Sequence, residues 1–135
     1  MTSSHNYYLA ITRPDGRPHV MPVWGVWLAN MFYFSTGVNS RKSRNLSVNP
    51  NCAVIPEKAA EAVILEGNAR RVKNRSELRR VAVDYKKKYD WDMSDSKDPV
   101  YRVTPALAFG IAENPGPLRA NPTRWIFGNP RKIHV

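Results

Sequence analysis

The chain has 135 residues, 42% of them hydrophobic, which is enough for one domain with a core of its own and too little for two ordinary ones. No run of about 18 apolar residues occurs, and MTSSHNYY at the start has neither a basic leader region nor a long apolar one, so a soluble, cytoplasmic single domain spanning 1–135 is expected. One cysteine, Cys52, excludes an intrachain disulfide and a thiolate zinc site, while a net charge of +10 calls for an anionic partner without saying which kind.

Tyr7 to Thr12 is rich in aromatic and β-branched residues and stops at Arg13-Pro14-Asp15-Gly16, a turn signal, which predicts a first hairpin. His19 to Leu28 is a mostly apolar run, and Met31 to Ser35 is a second short strand; together they predict a meander. Pro22 cannot donate to a ladder and Gly25 removes a side chain in mid-strand, so both mark an edge, a bulge or a close approach to the backbone. Ser40 to Val48 reads as a short helix closed by Asn49-Pro50-Asn51. Cys52 to Ile55 and Ala62 to Val72 read as two more strands.

Asn74 with Glu77 three positions on predicts a capping box, and Leu78, Val81, Ala82, Tyr85 and Tyr89 recur at helical spacing behind it. Asp90 to Pro99 is an acidic, turn-rich link, Val100 to Ile111 a long strand despite Pro105, and Thr123 to Phe127 the last strand. Six or seven strands with few helices give a mainly β fold, an antiparallel barrel or strongly bent sheet with helices at its ends.

The stretch FSTGVNSRKSRNL, Phe34 to Leu46, sets hydroxyls, an amide and cations at the start of the short helix. Ser40 and the first backbone N–H groups offer hydrogen bonds, the helix dipole favours negative charge, and Arg41 and Lys42 supply formal charge, a combination suited to phosphate; the competing reading is a solvated basic turn. The excess of cations between Arg70 and Lys88, against Glu77 and Asp84 alone, reads as a solvated helix face. His5, His19 and His134 lack ligand spacing, which leaves no metal site, and the chain has no G-x-S-x-G elbow, P-loop or G-x-G-x-x-G fingerprint. Trp24, Trp27, Tyr33 and Phe34 beside basic residues suit either a barrel core or a platform for single-stranded nucleic acid.

RPDGRPHVMPVWGVW, FSTGVNSRKSRNLSVNP, VILEGNARRV and TRW together resemble the pyridoxamine 5'-phosphate oxidase-like family of flavin and deazaflavin proteins, from about Tyr7 to Phe127. Its most specific part is Ser35-Thr36, a short loop, Ser40-Arg41-Lys42, Asn45 and Asn49-Pro50. The resemblance implies an antiparallel, Greek-key split β-barrel of the FMN-binding-protein type, paired as a homodimer with the cofactor at the interface. Carried onto this sequence, Arg41 and Lys42 would hold the phosphate, Ser40 and Asn45 would assist, and Ser35 and Thr36 would support them from the strand end. The ring would lie along Pro22, Val23, Trp24 and Gly25, and Arg124 and Trp125 would cover it.

True pyridoxamine phosphate oxidases carry an Arg and a Lys where His19, Val20 and Gly25 stand, a Gln in place of Ala62, and an Arg-x-His motif near the end; none is found here, which argues against vitamin B6 oxidation. Lys42 to Leu46 resembles the branch that uses the deazaflavin coenzyme F-420. The resemblance thus implies an FMN- or F-420-dependent oxidoreductase acting on a small organic substrate, with no membrane or nucleic-acid partner and no nominated acid or base beyond His19 as a candidate proton donor. A flavin carrier without turnover and a basic nucleic-acid-binding barrel are the alternatives.

Overall fold

The computed structural model describes residues 4–37, 39–58, 63–93, 96–110, 123–126 and 132–134; for 63, 109, 110 and the two last segments it describes the backbone alone. Alternation builds the first strand: β1, Tyr7–Thr12, turns Tyr7, Leu9 and Ile11 inward. It pairs antiparallel with β2, Pro18–Val23, across the predicted turn. There Gly16 takes φ +88° and its N–H donates to the carbonyl of Arg13 at 2.9 Å, while Asp15 accepts from the Arg17 N–H at 3.0 Å. Only a residue without Cβ adopts that φ freely, which is why Asp-Gly marks the turn.

The predicted meander is not formed. The run from His19 to Leu28 divides at Trp24-Gly25 into β2 and β3, Val26–Leu28, and the two halves lie at opposite ends of the strand path. β3 pairs with β4, Met31–Ser35, through a tight turn in which Ala29 and Asn30 both have positive φ, 52° and 63°. Then come α1, Arg41–Val48; β5, Asn51–Pro56; β6, Val63–Arg71; α2, Arg75–Tyr89; β7, Val100–Gly110; β8, Thr123–Ile126; and β9, Lys132–His134. The last of these had no expectation from sequence. Every pairing is antiparallel, in the order β2-β1-β5-β6-β7-β4-β3, with β8 and β9 branching from β7.

The ends of that path, β2 and β3, are joined by only two residues, so the sheet has to curl until its edges meet. This is the covalent reason for a barrel. Its interior holds Tyr7, Leu9, Phe32, Phe34, Val54, Leu65 and Val103, with Leu46 of α1 among them. A second cluster lies under α2, where Val81 and Tyr85 pack with Val26, Tyr33, Val72 and Val100.

The helix starts as expected at Asn74, whose side chain accepts from the Glu77 N–H at 3.0 Å. The reciprocal half of the capping box is not made. Glu77 is buried, and its carboxylate accepts from the Tyr33 hydroxyl at 2.6 Å and from Arg102 at 2.8 and 2.9 Å, pinning the helix to β4 and β7. A carboxylate that can reach two strands carrying donors does better there than on its own backbone.

Candidate functional site

At the end of β4 the chain turns into α1 through a set of interlocked hydroxyls. Ser35 Oγ and the Thr36 N–H both donate to the Pro99 carbonyl, at 2.9 and 3.3 Å. Thr36 Oγ1 lies 3.1 Å from Ser40 Oγ, which also accepts from the Ser43 N–H at 3.2 Å as the helix N-cap. Ser43 Oγ in turn donates to the Gly37 carbonyl at 2.9 Å and accepts from the Tyr101 hydroxyl at 3.1 Å. The loop is thereby held before any ligand arrives.

The first turn of α1 contains no acidic residue and carries Arg41 and Lys42 instead. Cations at that end oppose the helix dipole, and among the described residues neither makes an ion pair. Lys42 is half-buried, and desolvation lowers its ammonium below the usual lysine range. An anion there would relieve both the dipole and the desolvation penalty.

Beside this turn lies a cavity of about 410 Å³ whose lining includes Pro22, Val23, Trp24, Ser35, Thr36 and Lys42. Six residues nominated from the sequence, drawn from β2 and the corner after it, the end of β4 and the residue beyond it, and α1, are thus brought together around one space. Ser40 joins them through Thr36, Arg41 is exposed beside Lys42, and Asn45 is buried on the inner side of α1. Arg124 and Trp125 lie in β8 opposite Phe109 and Ala108; their side chains fall outside the described residues.

Gly25 sits one residue beyond the lining, and a different cause explains it. A Cβ there would run into the ring of Phe32, so core packing alone requires the missing side chain. The Trp24-Gly25 corner is held from α2. Tyr85 donates to the Trp24 carbonyl at 2.9 Å, Lys88 to the Gly25 carbonyl at 2.9 Å, and the Gly25 N–H to the Tyr89 hydroxyl at 2.9 Å. Tyr89 has one proton for two carbonyls, His5 at 2.7 Å and Gly25 at 2.9 Å; since Lys88 already serves Gly25, the proton belongs to His5. Trp24 stacks on Tyr89 with 4.5 Å between centroids and 4° between planes.

His19 does not line this cavity. Its Nδ1 lies 3.3 Å from the Arg13 guanidinium, a group that only donates, so Nδ1 is the acceptor and the proton sits on Nε2, which is buried with no partner. Desolvation, then Arg13, Arg41 and Lys42, push its pKa below the ordinary value.

Tyr85, Trp91, Met93, Ser96 and Asp98 complete the lining, and none of them was nominated from the sequence. Trp91 and Trp24 remain 51% and 40% exposed, large values for indoles, and stand edge to face at 6.4 Å. A tryptophan inside an acidic, turn-rich link was the available signal.

The sequence pattern of the pyridoxamine 5'-phosphate oxidase family matches residues 2–110. The chain belongs to this family. Among solved structures, a conserved hypothetical protein of Mycobacterium tuberculosis shares 25% identity over 77% of this chain and 74% of its own, with a TM-score of 0.67. A pyridoxamine 5'-phosphate oxidase-related, FMN-binding protein of Nostoc punctiforme shares the fold at TM-score 0.73 and 12% identity, covering 97% of this chain and 86% of its own. PhzG of Burkholderia lata, in complex with tetrahydrophenazine-1-carboxylic acid, also reaches 0.73 at 16% identity, over 98% and 82%. The haem storage protein HutZ of Vibrio cholerae, at 0.64 and 20% over 76% and 82%, shows that the same barrel serves other ligands. No curated protein sequence matches the chain. The split β-barrel expected from the sequence is the fold these relatives share.

Proposed function

We propose that the cavity is the cofactor site of a homodimeric oxidoreductase, which binds FMN or the deazaflavin F-420 and acts on a small oxidised or conjugated organic molecule. The observation that carries this reading is Lys42: a half-buried cation without an ionic partner among the described residues, at a helix start without an acid, on the wall of a cavity of ligand size. Lys42 and Arg41 would hold the phosphate, with Ser40 and the N–H groups of the first turn. Asn45 would act from the inner side of α1, and Pro22, Val23 and Trp24 would form the apolar wall for the ring, with Ser35 and Thr36 at its polar end. Arg124 and Trp125 would close the site, from this chain or its partner. The bound cofactor would supply the hydride chemistry, while the protein orients it and excludes water.

Titration of the purified protein with each cofactor tests the assignment, and visible absorption tells them apart, since the deazaflavin absorbs at shorter wavelength than FMN. Micromolar binding of one, together with a dimer in sedimentation, is the expected result. Failure to bind either, or a loaded monomer, overturns it.

A carrier without turnover would use the same residues. In its favour, the Tyr85 hydroxyl in the lining is already engaged by the Trp24 carbonyl, which leaves it no proton for a substrate. A bound cofactor that stays oxidised with every reductant would decide for the carrier. A nucleic-acid-binding barrel would instead lose affinity steeply with salt.

A further inference from the structure

Behind α1 lies a second cavity, of about 350 Å³, with no lining residue in common with the first. Arg44 and Ser47 reach it from α1, Arg70 and Arg71 from the end of β6, and Ser43 and Tyr101 line it between them. Among the described residues no acid lines this cavity, and none of the three arginines makes an ion pair. Arginines exposed on a surface are ordinary. Arg44 and Arg71 come to one concavity from two elements far apart in sequence, whereas Arg70, next to Arg71 on a strand, turns its side chain to the opposite face with Val72 and adds only backbone. The Ser43 and Ser47 hydroxyls donate to the Gly37 and Arg44 carbonyls, so the charge is left to the arginines.

We propose that this cavity is a second anion site, for a small multivalent oxyanion bearing carboxylate or phosphate groups. The guanidinium fork matches both groups in a bidentate way, which a lysine cluster would not. Arg44 and Arg71 repel one another across this cavity, and a multivalent anion turns that repulsion into attraction. The floor is already set: Tyr101 donates to Ser43 Oγ, Ser43 Oγ donates to the Gly37 carbonyl, and Ala69 is tied to Pro50 by a 2.8 Å backbone hydrogen bond. A small ligand is favoured over a nucleic acid because the aromatic residue in the lining, Tyr101, is buried and offers no face on which a base could stack.

The second site is independent of the cofactor assignment, and its test keeps the two apart. Citrate and pyrophosphate are titrated calorimetrically into the wild-type protein and into Arg44→Ala, Arg71→Ala and Lys42→Ala, at constant ionic strength. Both arginines are exposed, so these variants fold, and Arg71→Lys checks that fork geometry matters beyond charge. Saturable binding weakened at least about tenfold in Arg44→Ala and Arg71→Ala, but not in Lys42→Ala, is expected. Preference for citrate or for pyrophosphate identifies the anion class. Three outcomes overturn the proposal: equal binding in wild type and arginine variants, loss confined to Lys42→Ala, or heats no different from those of sodium chloride. An oligonucleotide that binds more tightly than either probe, with the same arginine dependence, overturns the small-ligand assignment.

Discussion

The ring of Phe32 fills the space that a side chain on Gly25 would need. Phe32 is fully buried, between Tyr7 at 4.8 Å and Trp27 at 5.4 Å. Overpacking such a site costs roughly 1–3 kcal/mol. Gly25→Val is therefore expected to lower the urea midpoint of the protein without cofactor, whether or not a ligand binds nearby. Combining Gly25→Ala with Phe32→Leu should destabilise less than the two changes added, because the smaller side chain frees the space. Strict additivity would show that the ring yields by another route.

Lys42→Ala should weaken cofactor binding by about one to two decades, the equivalent of one charge-assisted hydrogen bond, and leave the fold intact. The protein without cofactor should melt at the same temperature or slightly higher, since an uncompensated, partly desolvated cation is removed. Unchanged affinity would place the phosphate elsewhere.

For His19 the expected movement is upward. Without ligand, desolvation and the charges of Arg13, Arg41 and Lys42 hold its pKa below 6.5. An anion bound at Arg41 and Lys42 cancels part of that repulsion, so the imidazole should titrate at higher pH in the cofactor-loaded protein, followed by NMR of the ring protons. Because the folded pKa is depressed in the ligand-free state, His19 contributes stability above the unfolded value and loses it as pH falls through the folded one. No shift on loading would separate His19 from the anion.

Glu77 makes the acid limb of stability. Burial raises its pKa, but hydrogen bonds from Tyr33 and Arg102 outweigh this and hold it below 4.5. Its stabilisation is full above the unfolded pKa and is lost as pH falls through the lower folded value. Glu77→Gln should cost about 1–3 kcal/mol at neutral pH, and the difference from wild type should shrink below pH about 4.5. A pH-independent difference would assign the cost to packing instead.

The elements whose signals are local were legible in the sequence. Tyr7–Thr12 and Met31–Ser35 are strands with the expected limits, and Asn74 caps the second helix as its side chain suggested, while Ser40, read from the sequence as an anion donor, caps the first. Parts decided by distant neighbours were not. The division of His19 to Leu28 depends on β2 and β3 belonging to opposite ends of the sheet, and Glu77 leaves its capping role because Arg102 and Tyr33 stand across from it. At the site, residues adjoining the Ser40-Arg41-Lys42 segment were readable. Tyr85 and Trp91 were not, because they reach the cavity through the docking of α2, a contact that no spacing encodes.

The two-residue corner between β2 and β3 also bears on how the chain could be cut. Most loops of a barrel tolerate a break, because the sheet on either side holds itself together by its ladder. At Trp24-Gly25 the backbone is the direct link between the first and last strands of the path. A circular permutant opened at this corner would let the barrel unroll there, leaving the outer margins of β2 and β3 as free templates for strand exchange with a second molecule.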